Sequence, residues 1–179
     1  MRLYLIRHPQ PLVAAGICYG RTDVAVSCAE SARVAAALTS QLPPGVPVMT
    51  SPARRCTGLA DRLAGGPASC DERLLEMDFG EWEMRAWDDI ARLEIDAWAD
   101  DLIGYRPGGG ETVLEVARRV RAFYDAMSQD AIVVCHAGSI RLLLACQQGL
   151  GLEGMALEAA RAPHRIAYGA VTILDCPDG

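Results

Sequence analysis

The chain has 179 residues, about half of them apolar, and a formal net charge of −6. This length and composition suit one α/β-sized domain with a substantial core, and the acidic balance argues against nucleic acid or an anionic membrane as the main partner. No apolar run approaches the ~20 residues that a membrane span needs, the N-terminus lacks the layout of a signal peptide, and a cytoplasmic location is expected.

Leu3 to Ile6 is a short apolar run that stops abruptly at Arg7-His8-Pro9. It predicts a strand buried on both faces, as in a parallel sheet. Residues 9–29 follow as a long loop, a length that in a compact domain points to function. Ser27 is positioned to cap a helix, with Glu30 as its box partner. That helix is expected to run to about Leu42, with Ala32, Ala35, Ala36 and Leu38 towards the core, until Pro43, Pro44 and Gly45 stop it. Val46 to Thr50 predicts a second strand ending at Ser51-Pro52, and the proline suits the first position of a helix over 52–64. Cys70 to Leu75 is a weaker strand candidate. The pattern over 85–103 is helical and carries Trp87, Ile90, Leu93, Ile95 and Trp98. A glycine-rich turn, Arg106 to Thr112, leads into a helix to about Met127. A second apolar run, Ala131 to Cys135, ends on His136, and a helix over 139–149 follows. Arg165 to Tyr168 and Ala170 to Leu174 read as closing strands, and the last residues are expected to fray. Strands and helices alternate, so the chain is expected to form one α/β domain.

Two of the three histidines thus terminate strands, and open α/β sheets bind ligands outside the carboxyl ends of their strands. Arg7 sits beside His8, and Arg55 follows another strand end. Guanidinium groups present a planar fork of donors that matches phosphate oxygens. Two arginines and two imidazoles at one sheet edge would form a site for a phosphate dianion, in which a neutral imidazole can attack phosphorus while fixed cations stabilise the equatorial oxygens. Every basic side chain apart from histidine is arginine, so Schiff-base and P-loop lysine chemistry are excluded. Seven cysteines, at 18, 28, 56, 70, 135, 146 and 176, form no Cys-x-x-Cys pair and read as reduced, largely buried thiols.

In this order along the chain, Leu5-Ile6-Arg7-His8, Ser51-Pro52-Ala53-Arg54-Arg55, Leu74 to Glu83, Pro107 to Thr112, and Val134-Cys135-His136-Ala137-Gly138-Ser139-Ile140-Arg141 resemble the five motifs of the histidine phosphatase superfamily, the relatives of phosphoglycerate mutase. The resemblance implies a three-layer α/β sandwich: a mostly parallel central sheet, helices on both faces, and a small helical cap over the site. Residues 1–179 would be a single domain, with about 77–111 as the cap insertion. It further implies that His8 is the nucleophile, that Arg7, Arg55, His8 and His136 hold the phosphoryl group, and that Glu76 is the proton donor, making His8, Glu76 and His136 the catalytic set. Nothing but the motif alignment separates Glu76 from Asp78, Glu81 and Glu83. No metal and no cofactor is expected, since fixed cations take the metal's part.

The chain departs from the family pattern at four positions. Pro9 replaces a glycine after the nucleophile, Ala14 stands where an asparagine often adds a phosphate contact, Glu30 replaces a glycine and Leu59 a threonine. Arg21 or the Gly20 amide are candidates for the missing contact, and Ala137 is a further candidate substrate contact. The stretch Phe79 to Arg85 is most similar to the α-ribazole phosphatases, which implies a metal-independent phosphomonoesterase acting on a small phosphorylated nucleoside and releasing inorganic phosphate. The alternatives are a phosphatase or mutase of sugar phosphates or phosphoglycerate, a phosphohistidine-protein phosphatase, and a non-catalytic phospholigand-binding module. The short stretch between Glu76 and His136 favours hydrolysis over mutase chemistry, which must shield the phosphoenzyme from water. A homodimer is compatible with these features. Three other groups have plain structural readings: Trp87 and Trp98 as cap packing ahead of stacking on a substrate ring, Arg118, Arg119 and Arg121 as a solvated helix face, and His164 as a surface-loop residue.

Overall fold

A computed structural model of the chain describes residues 1–163 and 165–176. The expectations for His164 and for the last three residues lie outside the described residues. The sheet has five strands, β1 (Arg2–Arg7), β2 (Val48–Thr50), β3 (Ser69–Cys70), β4 (Ala131–Cys135) and β5 (Val171–Asp175), in the order β3-β2-β4-β1-β5. β1, β2, β3 and β4 run parallel, and β5 pairs antiparallel with β1. Six α-helices accompany it among the described residues: α1 (Cys28–Leu38), α2 (Arg54–Ala64), α3 (Arg92–Asp100), α4 (Val113–Asp125), α5 (Ala137–Cys146) and α6 (Leu152–Arg161).

The alternation of side chains along β1 and β4 builds the two outer layers. Leu3, Leu5, Ala131, Val133 and Cys135 pack into one core with α4, α5 and α6. Tyr4, Ile6, Ile132 and Val134 point the other way, against Val34 and Leu38 of α1 and Cys56, Leu59 and Ala60 of α2. Period-two alternation with both faces apolar is why these runs read as continuous hydrophobic stretches. The architecture is therefore the expected three-layer sandwich around a mostly parallel sheet. A third, separate apolar cluster of Cys18, Trp82 and Ile90, with Phe79, Trp87, Ile95, Trp98 and Tyr105 against it, lies within the 77–111 stretch and the loop after β1.

Several boundaries differ from the sequence reading. α1 ends at Leu38, and its buried positions are Ser31, Val34 and Leu38; Ala32 and Ala36 are exposed. Leu38 is buried and Ala35 packs against the core as expected, whereas alanine, which suits either side of a helix, misplaces the stripe at 32 and 36 in favour of Ser31 and Val34. Ser27 caps α1 through Glu30 N–H, but the Glu30 carboxylate turns to Arg33 instead of closing the box. α2 starts at Arg54, so Pro52 precedes the helix. The third strand is only Ser69–Cys70, and Glu72–Leu74 winds into a 3-10 turn capped by Asp71. The helix expected over 85–103 is divided into a 3-10 turn at Trp87–Asp89 and α3. α6 is an addition to the expected elements, because Gly149, Gly151 and Gly154 mask a helix whose Met155, Ala156 and Ala159 are buried. Arg165 to Tyr168 is not a strand; its backbone serves the site instead, as described below. Cys28 and Cys70 are exposed, whereas the other five thiols are buried as expected.

Candidate active site

The strand order places β4 between β2 and β1, so that the residues following three parallel strands meet at one edge. Ser51 follows β2, His136 follows β4, and His8 follows β1. The His8 and His136 rings lie edge to face, 5.3 Å apart between centroids. One cavity of about 810 Å³ is lined by Arg7, His8, Arg55, Glu76 and His136 together. The five residues that the resemblance selects, drawn from positions 7 to 136, therefore converge.

His8 is almost fully buried. Its Nδ1 lies 2.8 Å from the carbonyl oxygen of Pro9. A carbonyl only accepts, so Nδ1 carries the proton and Nε2 keeps its lone pair. Burial, reinforced by the positive charge of Arg55, lowers the His8 pKa to about 3, so the ring is neutral at physiological pH. The His136 pKa is also lowered, by complete burial first and then by Arg55 and His8. Its Nδ1 accepts from Arg55 Nε at 3.3 Å, which leaves the proton on Nε2 to donate to Ser51 Oγ at 2.8 Å.

Arg55 sits in the first turn of α2 with only 1 % exposure. Besides His136, it donates to the carbonyls of Thr22 (2.7 Å) and Gly20. Its neighbour Arg54 instead pairs with Asp23 at the surface. Arg7 donates through Nη1 to the Ile166 carbonyl at 2.6 Å, and its guanidinium carbon stands 3.7 Å from the centre of the Tyr168 ring. Arg7 Nε is buried and has no protein partner. An unsatisfied buried donor on a cation is costly unless an anion accepts from it. The 165–168 segment is thus shaped around Arg7, which is why it does not extend as a strand.

Two tyrosines that the sequence reading does not single out complete this wall. Tyr19 and Tyr168 share a hydrogen bond between their hydroxyls at 2.8 Å, and both line the cavity. The pair ties the loop after β1 to the approach to β5 across the top of His8, whose ring is 5.6 Å from that of Tyr168. Arg141, one turn into α5, also lines the cavity. Its Nη1 bonds to the Ala162 carbonyl, and its Nε is buried without a partner.

Glu76 reaches the site from the segment after the Glu72–Leu74 turn. Its Oε2 accepts from Gly138 N–H at 3.1 Å, and its Oε1 from Met77 N–H at 3.1 Å. Gly138 is in the first turn of α5, where a Cβ would overlap the Glu76 carboxylate, so glycine is what lets the acid approach the helix. The three carboxylates beside it in sequence are differently used. Glu83 accepts from the amides of Phe79, Gly20, Arg21 and Thr22. Burial acts to raise the Glu83 pKa, but hydrogen bonds from Thr22 and these backbone groups outweigh it and hold the pKa below the ordinary carboxylate value. Asp78 caps its own turn through Gly80 N–H, and Glu81 is exposed.

Arg21 and Gly20, the candidates for the contact vacated at Ala14, are engaged with other partners. Arg21 is exposed and stands 3.6 Å from Glu111. The Gly20 amide is engaged by Glu83, and its carbonyl holds Arg55. Gly20 is required because a Cβ there would overlap the Met77 carbonyl and the Phe79 ring. Ala137 is buried and lines the cavity, as does Ala14. Phe79, Trp87 and Trp98, all from the 77–111 stretch, form an aromatic wall of the cavity, with Trp87 and Trp98 stacked at 6.3 Å and 12°. Arg118 is exposed and Arg121 pairs with Asp125, but Arg119 points inward and corrects the reading of that helix face. No group of three or more His, Cys, Asp or Glu among the described residues is arranged to hold a metal ion, and none of the described helices is long and apolar enough to cross a membrane.

Residues 3–179 match the family model of the Histidine phosphatase superfamily (branch 1). The chain is 30 % identical over 187 residues to the Adenosylcobalamin/alpha-ribazole phosphatase of Escherichia coli (strain K12), covering 87 % of this chain and 83 % of that one. Its fold matches the crystal structure of the Alpha-ribazole Phosphatase from Shigella flexneri with a TM-score of 0.80, 27 % identity, and coverage of 98 % and 90 %. It also matches a crystal structure of phosphoglycerate mutase from Thermus thermophilus with a TM-score of 0.76, 25 % identity, and coverage of 99 % and 94 %. The chain belongs to the histidine phosphatase superfamily and is a phosphatase of the phosphoglycerate mutase-like fold.

Proposed function

From this membership, we propose that the protein is a metal-independent phosphomonoesterase that works through a phosphohistidine on His8. The observation that carries the reading is the His8–Pro9 hydrogen bond. It fixes the proton on Nδ1 and leaves Nε2 as a neutral nucleophile. Nε2 attacks phosphorus, the bond from phosphorus to the ester oxygen breaks, and Glu76 gives its proton to that oxygen. Arg7 and Arg55 balance the dianion and its transition state, and His136 holds Arg55 in place through Nδ1. Water then attacks the phosphorus of phospho-His8 while Glu76 takes a proton from the water, the P–Nε2 bond breaks with its electron pair returning to His8, and inorganic phosphate leaves. Residues 77–111 serve as a cap that carries the leaving-group side of the cavity.

For the substrate, the reading is a small phosphorylated nucleoside such as α-ribazole 5′-phosphate. Two independent features support it. Relatives bearing the α-ribazole phosphatase name align over most of the chain, and Phe79, Trp87 and Trp98 line the leaving-group side of the cavity with aromatic surface on which a flat base can stack.

The test is phosphate release from a panel comprising α-ribazole 5′-phosphate, 3-phosphoglycerate, fructose bisphosphate and a phosphohistidine peptide, with chelator present. A large kcat/KM preference for the ribazole ester is expected. A preference for 3-phosphoglycerate with dependence on a bisphosphate would assign a mutase instead. Binding without any phosphate release would reduce the protein to a phospholigand-binding module.

A further inference from the structure

Glu76 has to be presented at the leaving-group side of the phosphoryl site, yet it sits in an irregular segment between a 3-10 turn and the cap. Such a segment has no ladder of its own to fix it. Ser139 Oγ donates to the Leu74 carbonyl at 3.1 Å and to the Leu75 carbonyl at 3.4 Å, and a second side chain supplies the larger set of partners. Arg119, on α4, donates through Nη1 to the carbonyls of Arg73 (2.9 Å) and Leu75 (2.5 Å), and through Nη2 to the carbonyl of Glu76 itself (3.2 Å). The other two donors form a fork on Glu111, Nε to Oε1 at 3.1 Å and Nη2 to Oε2 at 3.0 Å. A guanidinium has five N–H donors, and here all five are used. Glu111 completes the clamp from the far side: its Oε2 also accepts Asp78 N–H at 3.0 Å, and its own N–H donates to the Asp78 carbonyl at 2.9 Å. Arg119 and Glu111 therefore grip the chain on both sides of residue 76. The pair has side-chain exposures of 18 % and 21 %, so solvent weakens it far less than a surface ion pair.

We propose that Arg119, oriented by Glu111, is a positioning residue for the Glu76 carboxyl and sets the efficiency of leaving-group protonation without touching the phosphoryl group. The inference rests on the acid role given to Glu76 above. Lysine cannot substitute, because three donors on a point charge cannot reproduce a five-donor fork.

The experiment measures kcat and KM for the Glu76→Gln, Arg119→Met, Arg119→Lys and double Glu76→Gln/Arg119→Met variants. One substrate is an alkyl phosphate, whose leaving group needs a proton, and the other is 4-nitrophenyl phosphate, whose leaving group does not. Arg119→Met should lower kcat/KM, which reads phosphoenzyme formation and leaves out the hydrolysis step common to both esters, by about 10- to 100-fold on the alkyl ester, with a much smaller loss on the aryl ester. In the Glu76→Gln background the same substitution should cost almost nothing further, because residues that act through one another are not additive.

Equal losses on both esters, or full additivity with Glu76→Gln, would overturn the proposal and leave Arg119 as a stabilising residue only. Should Arg119→Met fail to fold, Arg119→Lys carries the same comparison, with the selective loss again expected. The acid role of Glu76 and the positioning role of Arg119 also separate experimentally. A selective loss in Glu76→Gln that is absent from the Arg119 variants sinks the positioning role alone. Equal losses on both esters in Glu76→Gln itself would remove the acid role and the positioning role together.

Discussion

The Nδ1–H of His8 donates to the carbonyl oxygen of Pro9, the next residue in the chain, at 2.8 Å. The contact is local, but its consequence is electronic: it decides which of two ring nitrogens can attack. A proline is compatible because only its carbonyl is used, and the missing N–H at Pro9 costs the arrangement nothing. Pro9, in place of the family's glycine, is therefore compatible with this orientation of the His8 ring. His8→Asn should abolish phosphoenzyme formation and lower turnover by about 1,000-fold or more. Trapping the phosphoenzyme under alkaline conditions and locating the label tests this directly, and a label retained in the variant would end the assignment.

The buried, neutral His8 also makes stability depend on pH in a defined direction. Its folded pKa of about 3 lies below the unfolded value of about 6.5, so the unfolded chain binds the extra proton. Stability is then full above the unfolded value and falls as pH drops from there towards 3. Between pH 7.5 and pH 5.0 the loss from this one group is about 2 kcal/mol. Urea unfolding at both pH values should give a His8→Asn protein that is less acid-sensitive by that amount. An identical pH slope in the two proteins would contradict the buried neutral ring.

Gly138 is fixed by the approach of Glu76. A Cβ at 138 overlaps the carboxylate that accepts the Gly138 N–H. Gly138→Ala should displace Glu76 and cut kcat/KM, which reads the step that forms the phosphoenzyme, on alkyl esters by about 10-fold or more, while an aryl ester suffers less. Parallel losses on the two esters would show that the glycine serves the fold and not the acid.

Glu83 links the 77–111 stretch to Arg55 through the loop after β1. Its carboxylate gathers the amides of Gly20, Arg21 and Thr22, and the carbonyls of Gly20 and Thr22 hold Arg55. Glu83→Gln replaces one acceptor oxygen with a donor and should destabilise the fold by about 1–3 kcal/mol. It should also weaken inhibition by orthovanadate, since the Arg55 loop loosens. Unchanged vanadate affinity in a destabilised variant would confine Glu83 to the fold.

In the proposed mechanism Arg7 and Arg55 balance the phosphoryl charge, so turnover should survive extended treatment with a strong chelator. Activity lost to the chelator and restored by a divalent cation would require a different account of the site.

Much of the fold is legible in the sequence because its signals are local. The runs in β1 and β4 alternate between two apolar faces, and chain parity alone says that residues just beyond such strands reach the sheet edge. Trp87 and Trp98 are expected as cap packing, and they both pack and line the cavity. α6 is hard to see because glycine propensity hides a helix that tertiary burial of Met155 and Ala156 secures. Arg119 reads as solvated because a charged residue on a helix defaults to solvent. The signal that points the other way is spacing: position 119 is three after the buried Val116 and four before the buried Phe123, on the edge of the apolar stripe.

By itself the sequence determined the α/β class and, through its five ordered motifs, the superfamily, and it singled out His8, Arg7, Arg55, Glu76 and His136 as the proposed set. These follow from residue type and from order along the chain. Only the tertiary structure decided how those groups are held: the proton on His8 Nδ1, the use of His136 as a partner of Arg55 and Ser51, the engagement of Gly20 by Glu83, the Tyr19–Tyr168 bridge, and the Arg119–Glu111 grip on the Glu76 segment. Each joins atoms that are distant in sequence or turns on a choice between hydrogen-bond partners. Such choices depend on distance and direction in space, which residue type and order along the chain do not encode.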